Sequence, residues 1–223
     1  MKPSRLLKGI YQHFDANGNV IADERWQAVP RADGSTQLDN ETTRVAPFDE
    51  PRSDSMGLTL DAHWQLVKFS VHGLFGQREC LVRPDPESPK QAIICWRYKD
   101  EINEQRLPWD ETTWLSWNTP LLVMPLVWRL NLQPGESRDL TVYALDAVTF
   151  RPMRTTRRYQ RLEDTTHLTR FGAKLLAHYM QRDETGAPCA EFWCDEEGFV
   201  FEHQDFVAQV RYVLTAANLK LLP

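Results

Sequence analysis

Five arginines crowd one short stretch at Arg151, Arg154, Arg157, Arg158 and Arg161, with Tyr159 set among them. A guanidinium offers phosphate or carboxylate a rigid fork of donors, and a phenol ring covers a chain or stacks on a sugar. As a strand, the segment has a period of two that puts Met153, Thr155, Arg157, Tyr159 and Arg161 on one face. That face mixes apolar, aromatic and cationic groups and suits an amphipathic anion. The competing reading is a solvated edge strand whose charges block pairing with other chains.

A second cluster, of carboxylates, lies nearer the C-terminus: Glu191, Asp195, Glu196, Glu197, Glu202 and Asp205, with His203 among them. A hydrolase acting on a sugar or lipid ester would need two of these facing each other across a cleft, one of them protonated near neutral pH. Asp195, Glu196 and Glu197 fall in a turn sequence, where acidic residues serve the backbone. The chain has no GxSxG elbow, no HExxH pair and no CxxC pair. No catalytic residue, metal site or cofactor is therefore expected.

The elements that must position these groups read as β-structure. Turn signals recur at Asp15-Ala16-Asn17-Gly18, Arg31-Ala32-Asp33-Gly34, Pro134-Gly135, Asp183-Glu184-Thr185-Gly186 and Asp195-Glu196-Glu197-Gly198. Between them Gly9–Phe14, Val20–Val29, Ser35–Val45, Trp64–Val71, Arg78–Arg83 and Gln91–Tyr98 carry strand composition, which predicts a meander of antiparallel strands. Pro47–Ser55 and Pro84–Lys90 mix Pro with Asp, Glu and Ser and read as loops. Strand-like sequence flanks both, so one continuous domain over residues 1–223 is preferred to two. The apolar run Leu121–Trp128 is too short and too Pro-broken to span a bilayer. It predicts a buried strand, joined through Gln133-Pro134-Gly135-Glu136 to a second strand over Asp139–Ala144. Leu168–Tyr179 fits a helical stripe and a strict alternation equally well; its β-like flanks favour a strand.

A formal charge of -5 and a pI near 5.7 give no basic face for nucleic acid. The N-terminus, Met1 to Lys8, is charged like a secretory signal but lacks the apolar stretch behind it, and no membrane-spanning segment follows; the expected location is cytoplasmic. Cys80 and Cys95 sit among apolar neighbours and read as buried free thiols. The eight tryptophans suit core, rim or binding surface alike.

The order of several short motifs along the chain is more telling than any one of them. Thr119-Pro120, Arg129-Leu130, Leu132-Gln133-Pro134-Gly135-Glu136-Ser137, Val142-Tyr143, Tyr159-Gln160-Arg161-Leu162 and Phe192-Trp193-Cys194-Asp195-Glu196-Glu197-Gly198-Phe199-Val200 follow one another in a way that resembles the bacterial glycolipid-binding family. The resemblance covers roughly residues 119–210. It implies a spiral β-roll, similar to the curved sheets of periplasmic lipoprotein carriers. In that family the stretch after Thr-Pro is more polar and leads into two basic residues; here Trp128 precedes Arg129 and one basic position remains.

The expected protein is all-β, a strongly curved antiparallel meander forming a spiral β-roll or half-open barrel. Its concave face would bind a lipid or glycolipid without catalysis, through Trp117, Trp128, Arg129, Arg157 and Tyr159. A hydrolase using the C-terminal carboxylates and His203, and an assembly protein that pairs with further copies through its tryptophans, are the alternatives.

Overall fold

The computed structural model describes residues 5–44, 52–73 and 78–218. Eight strands open the chain, each antiparallel to the next: β1 (Leu7–Phe14), β2 (Val20–Pro30), β3 (Thr36–Arg44), β4 (Arg52–Leu60), β5 (Leu66–Gly73), β6 (Arg78–Asp85), β7 (Ser88–Tyr98) and β8 (Glu101–Pro108). After β9 (Thr113–Ser116) a 3-10 turn (Pro120–Leu122) runs into a helix, α1 (Val123–Leu130). The remainder is β10 (Ser137–Leu145), β11 (Pro152–Arg161), β12 (Thr165–Thr169), β13 (Gly172–Arg182), β14 (Pro188–Cys194), β15 (Val200–Asp205) and β16 (Val210–Ala217).

These strands form one large, curved, unclosed sheet. Its order runs from β8 down to β1, across to β16, and on through β15, β14, β13, β11 and β10 to β9, with β12 paired on β13 beside that path. The first and last strands thus meet in the middle of the sheet, Gly9 opposite Ala217. The β9–β10 pair is parallel, which demands a crossover, and α1 lies in that connection. At the free edge, β8 exposes Glu101, Glu104 and Arg106, charges that discourage edge-to-edge pairing.

The sequence predicted a strand over Leu121–Trp128, and the structure corrects this to a helix. The Thr119 hydroxyl accepts from Leu121 N at 3.0 Å as an N-cap, and Pro120 starts the 3-10 turn. Pro125 is the third residue of α1, within the first turn, where its missing N–H costs no helical bond. Asn131 ends the helix in the left-handed region at φ 45°. Met124, Pro125, Leu126, Val127 and Leu130 are all buried, so the segment carries the apolar content expected of a core strand while coiling as a helix.

Two expected loops shrink. Pro47–Pro51 lies outside the described residues, and from Arg52 onward the chain is already β4. Pro84–Lys90 tightens to the turn between β6 and β7. Over Leu168–Tyr179 the strand alternative holds, folded as a hairpin: β12 turns at Gly172 into β13, and Leu176 pairs with Thr165.

Four hairpins share one turn chemistry. Asp15, Asp61, Asp183 and Asp195 each accept on Oδ1 from the amides two and four residues ahead. The third residue ahead is left-handed: Gly18, Gly186 and Gly198 in three of them, and Trp64 at φ 63° in the fourth. A tryptophan there bears a cost of about 1–2 kcal/mol.

The cysteines are free. Cys80, Cys189 and Cys194 are buried, and burial pushes the Cys80 thiol up to about 12. Cys95, expected to be buried, is only half-buried on the opposite face of the sheet from Cys80, its Sγ 3.3 Å from Glu104 Oε2. A thiol reagent is therefore expected to modify Cys95 first in the native protein and the other three only on unfolding. Native-state modification of Cys80 at the rate of Cys95, seen by mass spectrometry, would contradict this packing.

Candidate functional site

On the inward face, between the segment leading into α1 and strands β9–β11 and β14–β16, lies a cavity of about 320 Å³. Trp117, Leu122, Leu126, Val142 and Leu145 supply apolar wall. Trp117 is fixed by an edge-to-face contact with Phe150, ring centres 4.8 Å apart.

Of the face Met153, Thr155, Arg157, Tyr159 and Arg161 expected from the strand period, Met153, Arg157 and Tyr159 line the cavity, while Thr155 and Arg161 do not. Arg158 faces away from the cavity and forms a bidentate pair with Asp139, at 2.7 and 3.0 Å. Arg161, further along, pairs with Asp164. Arg157 lies opposite Leu140 on the inward face beside Tyr159, and both line the cavity. No hydrogen bond or ion pair engages the Arg157 guanidinium among the described residues, and it is the one Lys or Arg among those lining the cavity. Burial raises the Tyr159 phenol well above its ordinary value, so the ring stays neutral.

Across the cavity stand His203, Asp205 and Tyr212. The His203 ring stacks on Tyr212 with centres 5.2 Å apart, and its buried Nδ1 has no hydrogen-bond partner among the described residues. Burial pulls its pKa down to about 4, which keeps the imidazole uncharged at neutral pH. Asp205 Oδ1 accepts from the amides of Val207 and Ala208 at 2.9 and 2.8 Å and ties down the turn at the cavity margin.

One buried network holds the α1 entrance against the sheet. Glu24, fully buried on β2, takes a hydrogen bond from Asn40 Nδ2 at 2.6 Å and another from the Thr119 hydroxyl, and its second oxygen lies 3.0 Å from His13 Nε2. Thr119 thus donates to the sheet with the same oxygen that caps the 3-10 turn, and it lines the cavity. The alternation Ala22, Glu24, Trp26, Ala28 marks Glu24 as an inward carboxylate, the signal by which sequence could have found it.

Of the five residues expected to bind ligand, Trp117, Arg157 and Tyr159 line this cavity; Trp128 and Arg129 do not. Both lie on α1, so the strand geometry that would have aimed Arg129 into the cavity is absent. Arg129 donates to the carbonyls of Thr113 and Asp110 at 2.9 and 3.2 Å and covers the Trp114 ring. Trp128 packs at a tilt against Trp64, ring centres 4.3 Å apart, and meets Phe199 edge-on, its indole N–H donating to the Glu197 carbonyl.

The C-terminal carboxylates do not converge. Glu191 lies 3.1 Å from His178 Nε2; Glu202 pairs with Arg211 at 2.6 Å and His167 at 2.9 Å; Asp205 alone of the group reaches the cavity. Among the described residues, no group of three or more His, Cys, Asp or Glu is placed to hold a metal ion. Asp195 differs from Asp15 and Asp183 in its surroundings. The same turn bonds that hold Asp15 and Asp183 below the carboxylate range are overridden at Asp195 by burial, with Glu197 and Glu196 adding to it, and its pKa rises to about 6. The native state therefore holds this proton more tightly than the unfolded chain, and stability falls as pH rises from about 4 to about 6, remaining lower above it. Asp195→Asn keeps the acceptor for both amides and removes the charge. It is expected to gain on the order of 1–2 kcal/mol at pH 7.5 and nothing at pH 4, read by thermal melting at the two pH values; equal shifts at both would contradict the burial argument.

The sequence matches no family model and no curated protein. Among solved structures it is similar to a DUF1089 family protein from Pseudomonas aeruginosa, at 20% identity over 80% of this chain and 87% of that one, with a TM-score of 0.50. It is also similar to a β-barrel-like protein of the DUF1849 domain from Brucella abortus, at 11% identity over 96% of this chain and 97% of that one, with a TM-score of 0.59. At these identities the likeness establishes a shared fold, the curved β-sheet of bacterial barrel-like proteins.

Proposed function

We propose that this chain is a non-catalytic binding protein for an amphipathic small molecule, lipid-like or glycolipid-like, held on the inward face of the curved sheet. The observation that carries this reading is Arg157: a guanidinium with unused donors in a cavity walled by tryptophan and aliphatic side chains. Of the other arginines on its strand, Arg158 and Arg161 are matched to carboxylates, and Arg154 is exposed outside the cavity. The resemblance of residues 119–210 to the glycolipid-binding family supports the same ligand class, and a concave, largely apolar pocket with a few convergent polar groups is the usual form of a small-molecule site. Scattered carboxylates, two of them committed to histidine or arginine partners, give no pair across a cleft and speak against the hydrolase.

Native mass spectrometry of protein purified from its own host tests the reading directly, with added small-molecule mass as the expected result. A panel of lipids and glycolipids titrated against the intrinsic tryptophan fluorescence of the intact protein provides the second test. Absence of both bound mass and any saturable titration would end the proposal.

A further inference from the structure

Size and charge of the cavity narrow the ligand beyond the binding reading on which this inference rests. At about 320 Å³ the space lies at the lower end of the roughly 300–1,000 Å³ range of ligand pockets. Space of this size, walled by Trp117, Leu122 and Leu126, suits one alkyl chain of medium length. A second chain would have to share this space, since α1 lines one side of it with Val123 and Leu126 and keeps Met124 and Leu130 in the core.

The polar lining is as selective. Among the described residues no hydrogen bond engages the five N–H donors of Arg157, whose charge is felt by Asp183 and Glu184 on the adjacent hairpin, and the fork matches a carboxylate or phosphate. Asp205 is the one carboxylate among the described lining residues, and its Oδ1 already holds two backbone amides. His203 adds a buried ring nitrogen with no hydrogen-bond partner among the described residues. We infer that the cavity takes a single-chain anionic amphipath, one carboxylate or phosphate on one medium-length alkyl chain, and excludes two-chain lipids. The anionic end meets Arg157, and the chain lies along Trp117, Leu122 and Leu126. A neutral sugar head would leave the Arg157 fork unmatched, and the same chain under such a head binds more weakly.

Four probes titrated into the full-length protein by calorimetry test this: decanoate, decyl phosphate, decyl glucoside and dihexanoyl phosphatidylglycerol. Saturable one-to-one binding of decanoate or decyl phosphate is expected, with decyl glucoside at least about tenfold weaker and the two-chain lipid unbound. Whichever of the two anions binds tighter identifies the head group, and either result supports the inference. Arg157→Leu should reduce the affinity for the anions by about tenfold or more and that for the glucoside by much less, with Arg157→Lys recovering part of the loss for the anions. Arg157 makes no hydrogen bond or close ion pair among the described residues, and its charge reaches only the hairpin carboxylates Asp183 and Glu184, so these variants are expected to fold. Binding of dihexanoyl phosphatidylglycerol as tight as that of decanoate would overturn the single-chain assignment while leaving amphipath binding intact. Equal affinity for decyl glucoside and decanoate would overturn the anionic assignment. Should none of the four bind and the lipid and glycolipid panel also fail, the binding reading itself falls.

Discussion

Replacing Glu24 by Ala is expected to lower stability by about 3–5 kcal/mol. The carboxylate is fully buried and serves three groups at once: Asn40, His13 and the Thr119 hydroxyl. Truncation leaves each of them in the interior with a vacant hydrogen-bonding position, and each buried polar group without a partner costs about 1–3 kcal/mol. For a chain of this length the melting temperature should drop by roughly 6–20 °C. The damage should also reach the cavity. Thr119 ties the entrance of α1 to β2 and β3, so its release loosens Leu122 and Leu126 on the cavity wall. Glu24→Gln separates the causes: its carbonyl can still accept from Asn40 and Thr119, and its amide takes the place of the second oxygen beside His13 Nε2. It should retain most of the stability lost in Glu24→Ala. Equal losses in the two variants would show that charge, rather than hydrogen-bond matching, is what the site requires.

How far this arrangement was legible beforehand depends on the range of the interactions that fix each part. The hairpins were readable because their signals are local: Asp with a Gly three residues on encodes both the side-chain acceptor and the left-handed residue of the turn. The fourth such turn, at Asp61, was missed because Trp64 occupies the position where a glycine would announce it. Arg157 and Tyr159 were placed on one inward face because a strand alternates strictly. Arg129 was misplaced because an apolar run of eight residues has the same composition whether it is a buried strand or a buried helix. The deciding signals there were the Thr119-Pro120 cap and Asn131, which outweigh β-like neighbours. What sequence cannot express is the order in which strands meet. Only with β1 against β16, and β13 crossing to β11, do His203 and Tyr212 come to face the same cavity as Arg157 and Trp117.

That topology also changes what Trp128 should do. Read as part of a binding strand, it would support stability and ligand together; placed on α1 away from the cavity, it supports stability alone. Its ring lies against Trp64 and Phe199 and its N–H is bonded to the Glu197 carbonyl, so it joins separate turns of chain. Trp128→Ala should cost about 3 kcal/mol, toward the lower end for a truncated aromatic because the ring is only half-buried. Part of that loss arises at Trp64, whose left-handed backbone is then kept without the ring contact that offsets it. Gly198→Ala attacks the same contact from below, since a Cβ there would collide with the Trp128 indole and must also adopt φ +84°. Both variants are expected to melt well below wild type yet bind decanoate or decyl phosphate with unchanged affinity at temperatures where they are folded. Arg157→Ala should show the reverse, a melting curve like that of wild type with binding weakened by about 1.5–3 kcal/mol. If Trp128→Ala lost affinity as Arg157→Ala does, the ligand would have to extend along α1 to the Trp64 end of the sheet, and the cavity beside Arg157 would be only part of the site.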